Sequence, residues 1–193
     1  MTQVLRLWFL GLFGLGFVGT LVGFIRFRAH RRTVERKLGP LPTPGPVVVS
    51  LVAVLILLTG TGEIAGETSI GWVILRVLGV GLSFYAIIML PWAVGTLGRF
   101  GVPGVAVLRD HALVTSGPFR LVRNPGYSAI MALWIGAALG TLNWLLLAVW
   151  PLLVGVLFIV AREEEGLLRS KFGTSYDVYA AKRGRFIPKV RGR

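Results

Sequence analysis

The sequence predicts an all-α membrane protein with several transmembrane helices, and three observations support this fold class. Apolar residues make up 54% of the 193 residues and charged residues only 15%, whereas soluble domains average about 25% charged residues. Several apolar runs are long enough to cross a hydrocarbon core of roughly 30 Å as helices. Lysine and arginine cluster between these runs, which is typical of cytoplasmic segments. We therefore expect a polytopic protein whose basic segments share the cytoplasmic face and contact anionic lipid headgroups.

Five apolar runs define the predicted transmembrane helices. The first is followed by a positive cluster and lacks a small-residue cleavage site, so we interpret it as a membrane helix and not as a signal peptide. Little more than the stretch Thr141-Leu142-Asn143 separates the last two runs, which predicts a C-terminal helical hairpin. Arg76 lies near the outer end of the third run, where we expect it to snorkel to the membrane surface. The predicted spans are 4–25, 47–62, 72–97, 128–142 and 144–161.

The charge pattern divides the chain into two parts. The N-terminal part, residues 1–97, holds three spans and a basic, proline-rich cytoplasmic linker at 26–46. The N-terminus is then outside and the C-terminus inside. The C-terminal part, residues 98–193, consists of a cytoplasmic loop at 98–127, the helical hairpin at 128–161 and a cytoplasmic segment at 162–193.

Composition also limits the kinds of chemistry that we expect. The chain has no cysteine, which excludes disulfides, thiolate metal sites and a cysteine nucleophile. His30 and His111 lack the spacing of metal ligands, so we expect no protein metal site. A net charge of +13 would suggest nucleic acid as the partner of a soluble protein. Because the basic residues fall in the predicted cytoplasmic segments, we expect membrane lipids as partners and no nucleic acid.

Two polar blocks at the predicted membrane edge are candidates for a site. Residues 116–127 combine arginines with the turn signals Gly-Pro and Asn-Pro-Gly, which leave backbone N–H groups free for a ligand. The second block, 162–165, follows directly on the last apolar run. Alternatively, the arginines obey only the positive-inside tendency, and Arg162 and Arg169 pair with the neighbouring glutamates along one helix. Spacing alone leaves both interpretations open.

The order of motifs in the C-terminal half resembles a known superfamily. The motifs are Leu-Val-Thr-Ser-Gly-Pro-Phe-Arg-x-Val-Arg-Asn-Pro-x-Tyr at 113–127, Arg-x-Glu-Glu at 162–165, Phe-Gly-x-x-Tyr-x-x-Tyr at 172–179 and Arg-Phe-Ile-Pro at 185–188. Their sequence and spacing around an apolar hairpin are similar to those of the integral-membrane methyltransferases. That superfamily includes the isoprenylcysteine carboxyl methyltransferases and the phospholipid N-methyltransferases.

The resemblance implies an S-adenosylmethionine pocket on the cytoplasmic side, closed by the C-terminal segment, with S-adenosylhomocysteine as product. The implied acceptor is lipophilic, either an isoprenylcysteine-type carboxylate or a phospholipid amine, and no metal is required. Arg162 and Glu164 are the implied catalytic residues: Arg162 orients the substrate, while Glu164 and Glu165 contact the cofactor. The other residues implied to line the cofactor are His111, Ala112, Leu113, Val114, Phe119, Asn124, Pro125, Gly126 and Tyr127.

Asn124 departs from the pattern of the superfamily, which usually has histidine at this position. An amide can donate and accept hydrogen bonds but cannot become cationic. This departure keeps a second hypothesis open, namely a catalytically inactive membrane scaffold that retains the fold. In either case we expect a multi-pass protein of the cell (inner) membrane of a prokaryote, with its site facing the cytoplasm.

Overall fold

The computed structural model describes residues 2–29, 34–37, 44–64, 69–98, 106–108 and 112–189, and helices dominate them. The predicted all-α class is confirmed for this helical architecture. The structure adds a small antiparallel ribbon, in which β1 pairs with β2 inside the two predicted cytoplasmic segments. The elements are α1 (Thr2–Ala29), β1 (Val34–Lys37), α2 (Pro44–Thr59), α3 (Ile70–Leu97), β2 (Ala106–Leu108), α4 (Pro125–Thr141), α5 (Trp144–Phe172) and α6 (Thr174–Lys182).

The five predicted spans coincide with the five helices α1 to α5. Within the described ranges, three helices are long and apolar enough to cross a membrane by length and composition: Thr2–Gly19 in α1, Ile70–Leu97 and Trp144–Phe172. The apolar part of α2 at Ser50–Thr59 is shorter, and α4 has 17 residues. The structure therefore supports a membrane protein with three candidate spanning helices, and the count of five stays a prediction.

Helix α4 lies at the centre of the bundle because small residues let its neighbours approach closely. Most of its 17 residues are buried. A Cβ atom added at Gly79 of α3 would lie 2.5 Å from the carbonyl oxygen of Gly136, and one added at Gly136 would lie 2.8 Å from that of Gly79. Such contacts require glycine on both helices, as in small-residue packing of membrane helices.

The apolar core forms where α1, α2 and α5 pack around Trp134 of α4. The Trp134 side chain is fully buried and meets the ring of Phe13 edge to face, with 5.8 Å between the ring centroids. Leu57 of α2 and Leu153 of α5 belong to the same cluster. These contacts assemble the four helices into one bundle.

The predicted helical hairpin is confirmed. Helix α4 ends at Thr141, Leu142 adopts the left-handed conformation (φ 53°), and the Asn143 side chain caps α5 by accepting hydrogen bonds from Leu145 N and Leu146 N at 3.0 Å. The Asn143 Nδ2 also donates to Thr61 O at 2.9 Å. The hairpin is thereby fastened to the turn that follows α2.

The expected snorkelling of Arg76 is wrong. Its side chain is only 4% exposed, and Nη1 donates to the carbonyl oxygen of Gly140 at 3.2 Å. Carbonyls in the last turn of a helix lack intrahelical partners, and the close approach of α3 to α4 brings this acceptor within reach of the guanidinium. Arg76 thus stays inside the bundle.

The basic segments meet at the other end of the bundle. Strands β1 and β2 join the segment after α1 to the segment after α3. A parallel bridge between Val122 and Gly184 joins the loop before α4 to the chain after α6. Since α4 starts at this end and finishes at the hairpin, the candidate site lies opposite the hairpin.

Candidate functional site

The loop before α4 is packed against the end of α3. Gly117 adopts a positive φ of 56°, and a Cβ there would lie 2.6 Å from the hydroxyl oxygen of Thr96 on α3. The 3₁₀ turn Gly117–Arg120 follows, with Pro118 and Phe119 buried. Glycine is required here because both the backbone angle and the space exclude a side chain. A short segment then connects this turn to the start of α4.

Backbone hydrogen bonds fasten the C-terminal segment to this loop. Arg123 N donates to Gly184 O at 2.9 Å, and Asn124 N donates to Arg185 O at 3.0 Å. The Arg123 side chain donates to Ala180 O at 3.0 Å. At the end of the loop, the Tyr179 hydroxyl donates to Phe119 O at 2.8 Å. The segment after α5 thus lies directly beside residues 119–124.

Glu165 is the anionic centre of the site. Its side chain is only about 4% exposed, and its two oxygens accept from Arg185 Nε and Nη2, both at 2.9 Å. Asn124 Nδ2 donates to Oε1 at 3.0 Å. Arg123 Nε lies 3.2 Å from the same oxygen without the alignment of a hydrogen bond. Arg185 also stacks over the Phe158 ring, with 4.6 Å from the guanidinium carbon to the ring centroid.

Asn124 can reach Glu165 because its side chain does not cap α4. Asparagine at this N-cap position usually accepts a hydrogen bond from the first turn, but no such bond is formed here. Pro125 occupies the first helical position, where its missing N–H is not needed. The Asn124 amide is therefore free to donate to the carboxylate on α5.

Glu164 has different surroundings from its neighbour. Its Oε1 accepts a hydrogen bond of 2.7 Å from the Tyr127 hydroxyl. Tyr127 packs between the main core and a smaller cluster of Val160 and Leu167 on α5. In the described part of the chain, no lysine or arginine forms an ion pair with Glu164. This carboxyl group is thus held in place without a cationic partner among the described residues, and burial raises its pKa to about 7.

The structure brings together four of the predicted site residues: Asn124, Tyr127, Glu164 and Glu165. Arg162 is exposed on α5. His111 lies outside the described residues. The remaining predicted residues line the loop and the start of α4: Ala112, Leu113 and Val114 lie in an irregular segment, Phe119 and Pro125 are buried, and Gly126 is half-buried.

The pairing of Arg169 with the glutamates along α5 is wrong, because Arg169 Nε donates to Asp177 of α6 at 2.7 Å. The cations that meet Glu165 come instead from Arg123 and Arg185. The sequence alone did not predict that Arg123 or Arg185 would contact Glu165. A signal was present in the motif Arg-Phe-Ile-Pro at 185–188, since glutamates at a membrane edge need a cationic partner.

Ionisable groups of the C-terminal segment are shifted by these contacts. The hydrogen bond to Glu165 raises the pKa of Arg185. Burial raises the pKa of Tyr179 to about 12, and it also raises the pKa of Tyr176. Arg185 is therefore a permanent cation, and both phenols stay neutral at physiological pH.

Comparison with known protein families finds a match that covers the centre of the chain. The family model described as PEMT, phospholipid methyltransferase, matches residues 74–175, which is more than half of the 193 residues. The match starts in the first turns of α3 and ends at the beginning of α6, so it includes Asn124, Tyr127, Glu164 and Glu165. No curated protein matches the chain. Among the described residues, no group of three or more histidine, aspartate or glutamate side chains could hold a metal ion.

Proposed function

The chain belongs to the phospholipid methyltransferase family, and from this premise we propose that it transfers a methyl group from S-adenosylmethionine to the amine headgroup of a phospholipid. The observation that carries the proposal is the contrast between two adjacent carboxylates. Glu165 is neutralised by Arg185 and approached by Arg123, whereas Glu164 is met only by the hydroxyl of Tyr127 among the described residues. A carboxylate without a counter-ion in a partly buried site favours a cationic ligand.

The negative charge of ionised Glu164 favours one of the two methyl acceptors that the sequence leaves open, the phospholipid amine, over the other, an isoprenylcysteine-type carboxylate. An ammonium headgroup is attracted to an unneutralised carboxylate, while an isoprenylcysteine carboxylate is repelled by it. An amine must also lose a proton before it can attack a methyl group, and a carboxyl group within reach can accept that proton. Both effects favour the phospholipid amine.

The same residues fit a cationic cofactor. S-adenosylmethionine supplies a methyl group activated by a positively charged sulfur. Glu164 offers the complementary charge, Tyr127 fixes the orientation of that carboxylate, and Asn124 stands at the start of α4 beside them. Phe119 and the irregular segment 112–114 provide apolar surface and backbone groups on the side of the loop. His111 completes the set implied by the superfamily motif.

Methyl transfer by direct displacement requires mainly that two reactants are held in line and that water is excluded. Tyr127 and Glu164 serve the first requirement, and the C-terminal segment that lies over the loop serves the second. Arg162 follows directly on residues 144–161, which carry no charged side chain. Its exposed guanidinium therefore stands at the membrane edge, where it can bind the phosphate of the lipid and orient the headgroup.

The position of the basic segments supports a cytoplasmic site. The segments containing β1, β2 and residues 122–124 lie at the same end of the bundle as Glu164, and basic segments are retained on the cytoplasmic side. We propose a multi-pass protein of the inner membrane of a prokaryote. Residues 98–193 then carry the chemistry, and residues 1–97 anchor this core in the bilayer.

Calorimetric titration of the purified protein in detergent with S-adenosylhomocysteine tests the cofactor site. We expect saturable binding by the wild type and at least about ten-fold weaker binding by Glu164→Gln, because the variant removes the carboxylate that would meet the α-ammonium group, the one cationic group that S-adenosylhomocysteine shares with S-adenosylmethionine. Absence of binding by a folded wild-type sample would contradict the proposal and favour the inactive scaffold.

A further inference from the structure

Glu165 joins three parts of the chain that are distant in sequence. It lies on α5, while its partners come from the loop before α4 (Arg123 and Asn124) and from the chain after α6 (Arg185). We infer that Glu165 and Arg185 form a clasp that positions Asn124 and holds the C-terminal segment closed over the cofactor site, without touching the cofactor. This inference rests on the proposed function for the identity of the ligand.

The hydrogen bonds of Glu165 to the protein occupy three of its roughly four acceptor positions. Oε1 accepts from Asn124 and from Arg185 Nε, and Oε2 accepts from Arg185 Nη2. The side chain is almost fully buried. A carboxylate with this set of partners acts on the cofactor only through the residues that it orients, in contrast to the role in cofactor binding implied by the resemblance.

Arg185 can hold the C-terminal segment against α5 because the edge and the face of its guanidinium both contact that helix. The planar fork forms two parallel bonds to one carboxylate, the geometry in which arginine binds most specifically. The face of the group packs on the Phe158 ring of α5. The backbone oxygen of the same residue accepts from Asn124 N at 3.0 Å. One residue of the C-terminal segment thus contacts α5 and the loop together.

The clasp reaches the proposed reaction centre through Asn124. The side chain and the backbone N–H of Asn124 both donate to the clasp, the first to Glu165 and the second to Arg185. Tyr127 follows in the first turn of α4 and holds Glu164. Opening the clasp would therefore free the loop and the start of α4 together, and Glu164 would lose its fixed position relative to the loop.

These contacts predict how clasp variants will behave. Since Glu165 and Arg185 are positioning residues, Glu165→Gln and Arg185→Gln should each weaken S-adenosylhomocysteine binding by about ten-fold or more, because either variant breaks the paired hydrogen bonds that join the C-terminal segment to α5. The double variant should bind no more weakly than the worse single variant, because both act through one contact. In turnover, KM for the cofactor should rise while kcat at saturation changes much less.

The test combines calorimetric titration with hydrogen exchange of the full-length protein in detergent. In both clasp variants we expect faster exchange at the amides of Arg123 and Asn124, with protection unchanged in α5 and in α4 beyond its first turn. Asp177→Asn is the matched control, because it breaks a different ion pair between α5 and the C-terminal segment, that of Arg169 with Asp177, in which both side chains are about half exposed. This control should bind and exchange like the wild type.

The outcomes separate the clasp from the proposed function. Binding by the wild type, with equal affinity in Glu165→Gln, would overturn the clasp and leave the methyltransferase proposal intact. Additive losses in the double variant would also overturn it, because they indicate two independent contacts with the ligand. Absence of binding by the folded wild type would overturn both proposals.

Discussion

Glu164 and Glu165 are adjacent in sequence but have different surroundings, because successive residues of a helix point in different directions. Glu164 meets Tyr127 of α4, and Glu165 meets Asn124, Arg123 and Arg185. The first carboxylate accepts one hydrogen bond from the described residues, and the second accepts three. The chemistry of the site therefore depends on which of the two residues a substitution removes.

Tyr127→Phe should reduce methyl transfer by about ten-fold, because the charge-assisted hydrogen bond that orients Glu164 is lost. The measurement is the initial rate of label transfer from S-adenosylmethionine to a phosphatidylethanolamine vesicle. Tyr85→Phe is the matched control. The Tyr85 hydroxyl on α3 shares a hydrogen bond with Ser128, which follows Tyr127 on α4, so this variant also removes a hydroxyl bonded near the start of α4 but leaves Glu164 untouched. Equal loss in the two variants would assign the effect to helix packing and not to Glu164.

The residues of the site also illustrate what a single sequence can predict. Motif order predicted a site containing Asn124, Tyr127 and the two glutamates, since each lies within a recognisable local pattern, and the structure brings these four residues together. It did not reveal which glutamate pairs with an arginine. That pairing depends on the position of Arg185, 20 residues further along the chain, and on the bend that returns this segment to the loop. Arg76 was misjudged for a similar reason, because its acceptor, Gly140, comes from another helix.

At the scale of the elements, the position of α4 depends on glycine. Gly79 meets the backbone of α4, whereas a Cβ atom added at Gly81 on the same helix would have open space within 4 Å. Gly79 and Gly81 lie two positions apart in the same helix, α3. They therefore separate the effect of packing from that of helix propensity.

Gly79→Ala should destabilise the protein by about 1–3 kcal/mol, because a methyl group forces α3 and α4 apart. Gly81→Ala should be neutral or stabilising by up to about 1 kcal/mol. Thermal unfolding in detergent, followed by circular dichroism, measures both. If the two variants unfolded together, the close contact between α3 and α4 would be contradicted.

Helix α6 carries two shifted phenols, which makes the attachment of the C-terminal segment sensitive to alkaline pH. Burial raises the pKa of Tyr179 from 10.0 to about 12 and raises that of Tyr176 as well. An unfolded chain releases these protons at lower pH than the folded chain. The stabilisation is therefore complete below pH 10 and declines as the pH rises towards 12.

Spectrophotometric titration of tyrosinate should show this shift. Of the four tyrosines, we expect Tyr127, Tyr176 and Tyr179 to ionise late, because burial raises the pKa of each, and we expect ionisation of Tyr176 and Tyr179 to accompany release of the C-terminal segment. Tyr179→Phe should remove one late step and leave the rest of the curve in place. A single transition of all four tyrosines near pH 10 would contradict the burial of α6 against the loop.

The elements themselves were largely predictable from the sequence. Long apolar runs located α1, α3 and α5, and the short connection of three residues located the hairpin. Helix α5 ends at Phe172, and Gly173 follows with a positive φ of 53° and its N–H bonded to Arg169 O at 2.8 Å, a position that glycine favours. The ribbon of β1 and β2 was not predictable, because each strand pairs with a partner from a distant part of the chain.

At the scale of the whole molecule, the helical hairpin and the candidate site lie at opposite ends of the helix bundle. The hairpin and the turn after α2 form one end, and the basic segments with the site form the other. The absence of cysteine permits a direct test of orientation, because a single introduced thiol is the only one in the protein.

Thr61→Cys and Ser175→Cys place a thiol at exposed positions of opposite ends. In intact cells a membrane-impermeant maleimide should label Thr61→Cys, and it should label Ser175→Cys only after permeabilisation, since basic segments remain in the cytoplasm. Labelling of both positions from the same side would contradict the proposed topology.

The central claim is that Glu164 serves methyl transfer to a phospholipid amine. The most direct measurement is transfer of labelled methyl from S-adenosylmethionine to phosphatidylethanolamine by the purified protein, with phosphatidylcholine vesicles as control. We predict a labelled N-methylated lipid from the wild type and at least about a hundred-fold lower rate from Glu164→Gln. An unchanged rate in Glu164→Gln, or binding of S-adenosylhomocysteine without transfer to the amine, would contradict the account.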